Sequence, residues 1–130
     1  MITNFNVGVK GLIRQEGKIL LMHGNAQRDF WEAPGGRIDD DETIEDTLQR
    51  ELSEELPGIE IVSIGRLVHS ARLPGMPLGD RGLLLLWYEV DATFPNGVSL
   101  SDEHDEFRWC SVEEASKLAS FGVQEAIEKL

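Results

Sequence analysis

The sequence predicts a single α/β domain, because segments typical of β-strands and of α-helices follow one another along 130 residues without a linker or an internal repeat. A chain of this length is close to the usual size of one domain and can bury about two thirds of the surface that it exposes when unfolded. Hydrophobic residues make up 41% of the chain and charged residues 28%, as in an ordinary soluble globular protein. We therefore expect one domain over residues 1–130.

Five segments have the composition of β-strands. They are Val7–Ile13, Lys18–Met22, Ile59–Val68, Gly82–Val90 and Phe107–Cys110. A polar turn at residues 14–17 separates the first two, so these predict a hairpin. Residues 83–87 of the fourth are all apolar, which is typical of a strand that is buried on both faces.

Three segments predict helices. In Thr43–Leu56, aliphatic residues recur at every fourth position from residue 44 to residue 56. Its first residue can cap the helix, with Asp46 three positions later in an arrangement similar to a capping box, and a Pro-Gly pair follows the last. Val112–Leu118 and Gly122–Leu130 predict two short C-terminal helices that pack on the sheet.

The acidic charge is concentrated in one segment. The formal net charge is −12, from 24 acids and 12 bases, which argues against binding to a nucleic-acid duplex. Residues 37–60 contain ten of the acids and two of the bases, so this segment alone carries −8. Such a concentration indicates a local function for the charge.

Cellular location follows from cysteine usage and apolar patterning. The lone Cys110 excludes an internal disulfide and a cysteine zinc site, and it fits a reducing compartment. The N-terminal segment lacks the pattern of a signal peptide, and the longest apolar run, Leu83–Tyr88, is too short to span a bilayer. We expect a cytoplasmic protein without a membrane partner.

Three glutamates of the first predicted helix share one side of it. At about 100° per residue, Glu51, Glu54 and Glu55 lie beside the apolar stripe and not opposite it. Carboxylates three and four positions apart repel one another, so a cation among them is the natural counter-charge. Oxygen ligands suit Mg²⁺ or Mn²⁺. The alternative is an ordinary solvated helix face.

The segment that begins with the turn W-x-x-P-G-G at residues 31–36 resembles the signature of the Nudix hydrolase family, which includes MutT. In that signature, G-x5-E-x7-R-E-U-x-E-E-x-G-U, U is an aliphatic residue. Here Gly36 is followed at the family spacing by Glu42 and by R-E-L-S-E-E at residues 50–55, so every charged position is filled. Pro57 stands where the family has its last glycine, and we interpret this as a one-residue insertion in the turn after the helix.

The resemblance implies an α/β/α sandwich with a mixed β-sheet and an enzyme of the pyrophosphohydrolase class. Such an enzyme uses Mg²⁺ or Mn²⁺ and activated water to cleave the phosphoanhydride of a nucleoside diphosphate linked to another group. The partner would then be a small nucleotide derivative: a nucleoside triphosphate, a sugar nucleotide or a compound of the ADP-ribose type. The residues leave the leaving group open, and a homodimer is compatible with the sequence.

The family resemblance also implies roles for individual residues. The implied metal ligands are Gly35, through its carbonyl oxygen, and Glu51, Glu54 and Glu55. Arg50 would orient Glu51, and Gly36 would support the ligand segment. Glu42 would either hold this segment together or contact the metal through a water molecule. The general base stays open between Glu51, Glu54 and an acid from elsewhere in the chain.

Further candidates lie outside this segment. Glu103 and His104, in the acidic cluster at residues 102–106, would supply a further carboxylate or base, unless this cluster is only a solvated loop. The segment 67–82 is predicted as a loop whose glycine and proline content, including Pro74, suggests a lip over the cleft. The candidate substrate-binding residues are Trp31, Arg37, His69 and Arg72.

Two other functions are compatible with the sequence. A Nudix-fold module could sense a nucleotide or sugar nucleotide without hydrolysing it, but such modules commonly lose a glutamate of the signature and this chain keeps them all. An acidic domain could instead bind a basic protein through its glutamate face.

Overall fold

The chain folds into seven strands and three helices within the residues that the computed structural model describes, which are 2–73, 81–120 and 122–130. In chain order the elements are β1 (Phe5–Gln15), β2 (Lys18–His23), β3 (Trp31–Glu32), β4 (Gly35–Arg37), α1 (Ile44–Glu55), β5 (Glu60–Arg72), β6 (Gly82–Thr93), β7 (Glu106–Ser111), α2 (Val112–Leu118) and α3 (Val123–Glu128). None of the helices in these ranges is long and apolar enough to cross a membrane.

The strands form a mixed sheet with β1 at its centre. The strand order is β3-β2-β1-β6-β5, while β4 pairs with β1 and β7 pairs with β2. β1 and β6 run parallel over residues 5–13 and 82–90, and the other pairs are antiparallel. The predicted mixed sheet is confirmed.

Helices cover both faces of the sheet. On one face, Leu48 and Leu52 of α1 pack with Val9 and Ile13 of β1 in one apolar core. On the other face, α2 and α3 contribute to a second core that includes the fully buried Trp87 of β6. These two cores give the α/β/α layers that the resemblance implied.

The predicted hairpin joins β1 and β2. Arg14 pairs with Ile19, and Glu16 and Gly17 at the turn both have positive φ angles, 51° and 77°. Two positive φ values in a two-residue loop match the right-handed twist of the strands. Farther from this turn, residues 8–10 of β1 pair with β4.

Helix α1 begins as the sequence predicts. The Thr43 side chain accepts a hydrogen bond from the Asp46 N–H (3.1 Å), and the Asp46 carboxylate accepts one from the Thr43 N–H (3.2 Å). This capping box satisfies backbone donors at the helix start. After the helix, Gly58 has a φ of 91°, so the chain reverses at the Pro-Gly pair.

Three expectations differ from the structure. β3 and β4 were not predicted, because two or three residues are too few to show a strand periodicity. The predicted burial of residues 83–87 on both faces is correct for Leu85 and Trp87 but not for the other three, which are half-buried. The predicted loop at 67–82 is wrong at its start, since β5 continues to Arg72, where it pairs with Leu84.

Leu48→Ala is expected to lower the free energy of unfolding by about 2 to 5 kcal/mol, because Leu48 is completely buried and its loss leaves a cavity. The exposed neighbour Gln49 provides the control, and Gln49→Ala should change the value by less than about 0.5 kcal/mol. Urea denaturation followed by circular dichroism measures both. Equal effects of the two substitutions would contradict the packing of α1 on β1.

Candidate active site

Helix α1, β4 and the segment before β7 enclose a cavity that is lined mainly by charged side chains. Its volume is about 320 Å³. The lining acids are Glu32, Glu51, Glu54, Glu55 and Glu103, the lining bases are Lys10, Arg28 and Arg37, and Gly35, Gly36 and His104 complete the wall. We call this the acidic cavity.

Glu55 is the most buried carboxylate of this cavity. Only 4% of the residue is exposed, and its Oε1 accepts a hydrogen bond from the Gly35 N–H at 2.8 Å. Burial raises the pKa of Glu55 to about 7, although Lys10 and the Gly35 N–H act in the opposite direction. Gly35 has a φ of 147°, and a Cβ there would lie 2.1 Å from the Val9 carbonyl oxygen, so no other residue fits.

The donor atoms of three residues could hold a metal ion. Glu55, Glu103 and His104 each offer one ligand atom, and these atoms all lie within 4.8 Å of one another. The His104 side chain is 3% exposed, and neither ring nitrogen has a hydrogen-bond partner among the described residues. The two nitrogens lie 3.6 Å from the Glu32 and Glu55 carboxylates, too far for hydrogen bonds, so they stay available to a ligand and this set fits a divalent cation.

Arg50 joins two glutamates behind the cavity. Its Nε and Nη2 donate to the two carboxylate oxygens of Glu42 at 2.7 and 2.8 Å, and its Nη1 donates to Glu51 Oε1 at 2.8 Å. The guanidinium holds the pKa of Glu42 at about 2 and has its own pKa raised. A Cβ at Gly36 would lie 2.2 Å from the Glu51 carboxylate carbon, so a side chain there would displace the Glu51 carboxylate from its observed position.

Lys10 and Glu32 were missed in the sequence. Lys10 Nζ lies 2.8 Å from Glu32 Oε1, and Arg28 Nη2 lies 3.4 Å from Glu32 Oε2. Burial would raise the pKa of Glu32, but His104 and Lys10 outweigh it and hold the pKa at about 2. The available signals were an isolated lysine in an apolar strand and a glutamate directly before the Pro-Gly-Gly turn.

A second cavity, of about 250 Å³, adjoins the first. The two share Lys10, Arg28, Glu32, Gly36 and Arg37. The remaining wall of the second cavity is mostly apolar and consists of Gly8, Phe30, Leu73, Leu83, Leu85, Trp87 and Val123. We call this the apolar cavity.

Sequence comparison places this architecture in a known family. A family model for the NUDIX domain matches residues 3–130. The chain belongs to the NUDIX family. CTP pyrophosphohydrolase of Escherichia coli K12 is 38% identical over 112 residues, a match that covers 82% of this chain and 76% of that protein. The predicted family and the predicted enzyme class, a Nudix pyrophosphohydrolase, are confirmed.

Solved structures agree with this assignment. The solution structure of the E. coli ORF135 protein is similar with a TM-score of 0.78 and 32% identity, covering 98% of this chain and 89% of that one. The crystal structure of a MutT NUDIX hydrolase from Burkholderia pseudomallei has a TM-score of 0.82 over 98% of both chains, and at 23% identity it shows the fold alone. The predicted Nudix α/β/α fold is confirmed.

Most of the candidate residues come together in the structure. The Nudix residues Gly35, Gly36, Arg37, Glu51, Glu54 and Glu55 line the acidic cavity together with Glu103 and His104. Glu42 and Arg50 reach it through Glu51. The expected metal contact of the Gly35 carbonyl stays a prediction, as do the other residue roles; the observed contact of Gly35 is made by its N–H.

Trp31, His69 and Arg72 are absent from the walls of both cavities. His69 and Arg72 lie in strand β5 and not in the predicted loop, because β5 stays paired with β6 up to Arg72. His69 stacks on Trp87 with ring centroids 5.6 Å apart, and Arg72 lies 4.9 Å from the centroid of the Phe5 ring. The predicted lip at 74–80, with Pro74, lies outside the described residues.

The charge on Glu42 is expected to stabilise the fold in a pH-dependent way. Because the hydrogen bonds from Arg50 lower the Glu42 pKa from 4.5 to about 2, this stabilisation is fully present above pH 4.5 and is lost as the pH falls towards 2. Glu42→Gln should therefore lower the free energy of unfolding at pH 7 and have a shrinking effect below pH 4.5. Urea titrations at several pH values measure this, with Glu128→Gln, at an exposed position of α3, as the control. An effect of Glu42→Gln that does not change with pH would contradict the pairing.

Proposed function

We propose that this protein hydrolyses nucleoside triphosphates and related nucleoside diphosphate derivatives, in a reaction that depends on Mg²⁺ or Mn²⁺. One observation carries the proposal: the acidic cavity adjoins the apolar cavity, and the wall that they share contains three cationic side chains. A nucleotide has the same division, with an anionic phosphate chain at one end and a flat, largely apolar base at the other. The name of the E. coli relative, CTP pyrophosphohydrolase, makes CTP the first substrate to test.

The acidic cavity would hold the metal. The proposed ligands are Glu51, Glu54 and Glu55 of α1, with Glu103 and His104 from the segment before β7. Hard oxygen donors dominate this set, as Mg²⁺ and Mn²⁺ require. When bound, such an ion supplies a counter-charge for the phosphates and lowers the pKa of a bound water.

The chain's own cations would orient the phosphates. Arg37 is exposed and lines both cavities, so its guanidinium can bind a phosphate that lies between them. Arg28 also lines both cavities and is held by Glu32. Lys10 lies deeper and neutralises Glu32, which leaves the carboxylates of α1 free for other ligands.

Glu54 is the better placed of the two helix acids to take a proton from the attacking water. The Glu51 carboxylate is already engaged by Arg50 Nη1 at 2.8 Å, whereas Glu54 lies 3.6 Å from the same nitrogen. The Glu54 side chain is also 61% exposed, so it can move towards a water in the cavity. A general base needs this freedom to approach its proton.

The apolar cavity would hold the nucleobase of the substrate. Phe30 offers aromatic surface, and Leu83 and Leu85 supply an aliphatic wall that Trp87 backs from the core. Stacking and apolar contact bind any nucleobase without a specific hydrogen bond, so we expect turnover of several nucleotides. The lone, buried Cys110 fits the expected cytoplasmic location.

Glu54→Gln and Glu55→Gln are each expected to cut turnover by orders of magnitude, because each removes a carboxylate from the acidic cavity. The assay follows phosphate or pyrophosphate release from a panel of nucleoside triphosphates, sugar nucleotides and ADP-ribose, with and without Mg²⁺. Glu113→Gln, exposed on α2, is the control, and circular dichroism checks that each variant is folded.

Two outcomes would contradict this proposal. Near-normal rates in both Glu54→Gln and Glu55→Gln would refute the ligand assignment. Absence of metal-dependent turnover on every compound of the panel would refute the enzyme and favour a Nudix-fold module that binds a nucleotide without hydrolysing it.

Phe30→Ala is expected to raise KM for nucleoside triphosphates by about tenfold with little change in kcat, because it removes apolar contact with the base and leaves the acidic cavity intact. Phe107→Ala, an exposed phenylalanine of β7 outside both cavity walls, is the control. Steady-state kinetics with Mg²⁺ in excess measure both. A fall in kcat with unchanged KM would show that the nucleobase binds elsewhere.

A further inference from the structure

His23, at the end of β2, lies between two carboxylates from different segments of the chain. Its Nδ1 is 2.7 Å from Asp105 Oδ1, and its Nε2 is 2.7 Å from Asp29 Oδ1. The His23 side chain is 14% exposed, whereas those of Asp29 and Asp105 are 87% and 53% exposed. The Trp31 ring covers it, with ring centroids 5.3 Å apart. A shielded imidazole therefore bridges two surface acids.

The bridge is complete when His23 is protonated. A neutral imidazole has one N–H and can donate to one carboxylate, while the imidazolium donates to both. The hydrogen bonds that His23 donates to Asp29 and Asp105 accordingly raise its pKa above the ordinary value. Besides Asp29 and Asp105, the elements packed against His23 carry other charged or titratable residues. These are Arg28 in the turn before β3, Glu32 in β3, Asp102, Glu103 and His104 before β7, and Glu106 and Arg108 in β7, where Arg108 lies on the Trp31 ring.

Asp29 belongs to a tight turn at residues 24–30, which we call the cavity turn. The Gly24 N–H donates to the Phe30 carbonyl at 3.1 Å, and the backbones of Asn25 and Arg28 exchange hydrogen bonds of 3.2 and 3.1 Å. These bonds hold the two ends of the turn together. Arg28 and Phe30, on either side of Asp29, line the apolar cavity.

Asp105 belongs to residues 101–105, which we call the acidic loop. Its N–H donates to the His23 carbonyl at 3.3 Å, so both its backbone and its side chain are tied to His23. The two preceding residues, Glu103 and His104, line the acidic cavity. His23 therefore contacts two segments: the cavity turn, which lines both cavities, and the acidic loop, which lines the acidic cavity. His23 itself lines neither cavity.

We propose that His23 is a positioning residue: by holding Asp29 and Asp105 at the same time, it fixes the cavity turn relative to the acidic loop. The kinetic consequence rests on the proposed function, whereas the coupling of the two segments does not. Removing a hydrogen bond that orients a metal ligand typically changes activity or metal affinity by about 10- to 100-fold, and the His23 bridge acts one residue farther out, so we expect the lower end of this range. The bridge should act most strongly at pH values where His23 is protonated.

The kinetic test separates the two ends of the bridge. Asp29→Asn, which loosens the cavity turn, should raise KM by about tenfold, and Asp105→Asn, which loosens the acidic loop, should lower kcat by about tenfold. His23→Gln should do both. The control is Asp102→Asn, which removes the same charge from the acidic loop at an exposed residue with no hydrogen bond or ion pair to the described side chains.

The pH dependence of kcat/KM distinguishes the proposed positioning role of His23 from a merely structural one. The ratio of kcat/KM between wild type and His23→Gln should be largest below the pKa of His23 and fall towards one as the pH rises through it. Ionisations shared by both proteins cancel in this ratio. A ratio that is independent of pH, or kinetic effects equal to those of Asp102→Asn, would overturn the proposal.

A titration followed by NMR tests the coupling without activity. In the wild type, the amide signals of the cavity turn and of the acidic loop should shift with the midpoint of the His23 ring signals. In Asp29→Asn, the amide signals of the cavity turn should no longer shift with the His23 titration, whereas those of the acidic loop should still do so. If the amide signals of the cavity turn in the wild type do not shift with the titration midpoint of His23, the proposal is overturned. If no nucleotide is hydrolysed, the proposed function fails, and this titration still decides the role of His23.

Discussion

The candidate active site depends on one close backbone approach, in which β4 fits between β1 and α1. A side chain at Gly35 would collide with the backbone of β1, and a side chain at Gly36 would collide with the Glu51 carboxylate. Without side chains at these positions, the backbone can lie against the helix and donate the Gly35 N–H to buried Glu55. The glycine pair thus brings the carboxylates of α1 to the centre of the sheet and lets them share a cavity with residues of β1.

The five carboxylates of the acidic cavity would repel one another unless positive charges lay among them. Several cationic side chains share this task, among them Arg28, which lies 3.4 Å from Glu32. Arg50 neutralises Glu42 and holds Glu51 from behind, while Lys10 neutralises Glu32 from the sheet. Among the described residues, the Glu55 side chain accepts a hydrogen bond from the Gly35 N–H alone, with His104 Nδ1 3.6 Å away, and burial raises its pKa. The remaining charge is concentrated where a divalent ion would lie.

The two cavities explain how one small domain could bind a molecule with two chemically different ends. Their shared wall carries the cations, so an anionic chain would cross from one cavity to the other beside Arg28 and Arg37. The walls come from distant parts of the chain, and the His23 bridge is one of the contacts that keeps them in register. In the proposed enzyme, nucleotide binding and hydrolysis would therefore depend on the relative positions of the cavity turn and the acidic loop, as well as on helix α1.

The sequence by itself determined the elements whose information is local. The capping box at Thr43, the four-residue repeat of α1 and the Glu-Gly turn after β1 are set by neighbours within one or two turns of chain, and they appear as expected. The spacing of the Nudix signature likewise identified which glutamates face the cavity, because a helix converts spacing directly into direction.

Only the tertiary structure decided which distant residues complete the site. Lys10 and Glu32 gave almost no pattern, since an isolated charge in a strand shows neither its face nor its partner, and β3 and β4 are too short to have a period. His69 and Arg72 were placed wrongly in a loop because the length of β5 is set by its pairing with β6. The same applies to His23, whose two acids lie 6 and 82 residues away and meet it only after the sheet has formed. Contacts between segments far apart in the chain depend on how the layers pack, and that packing is a property of the whole fold.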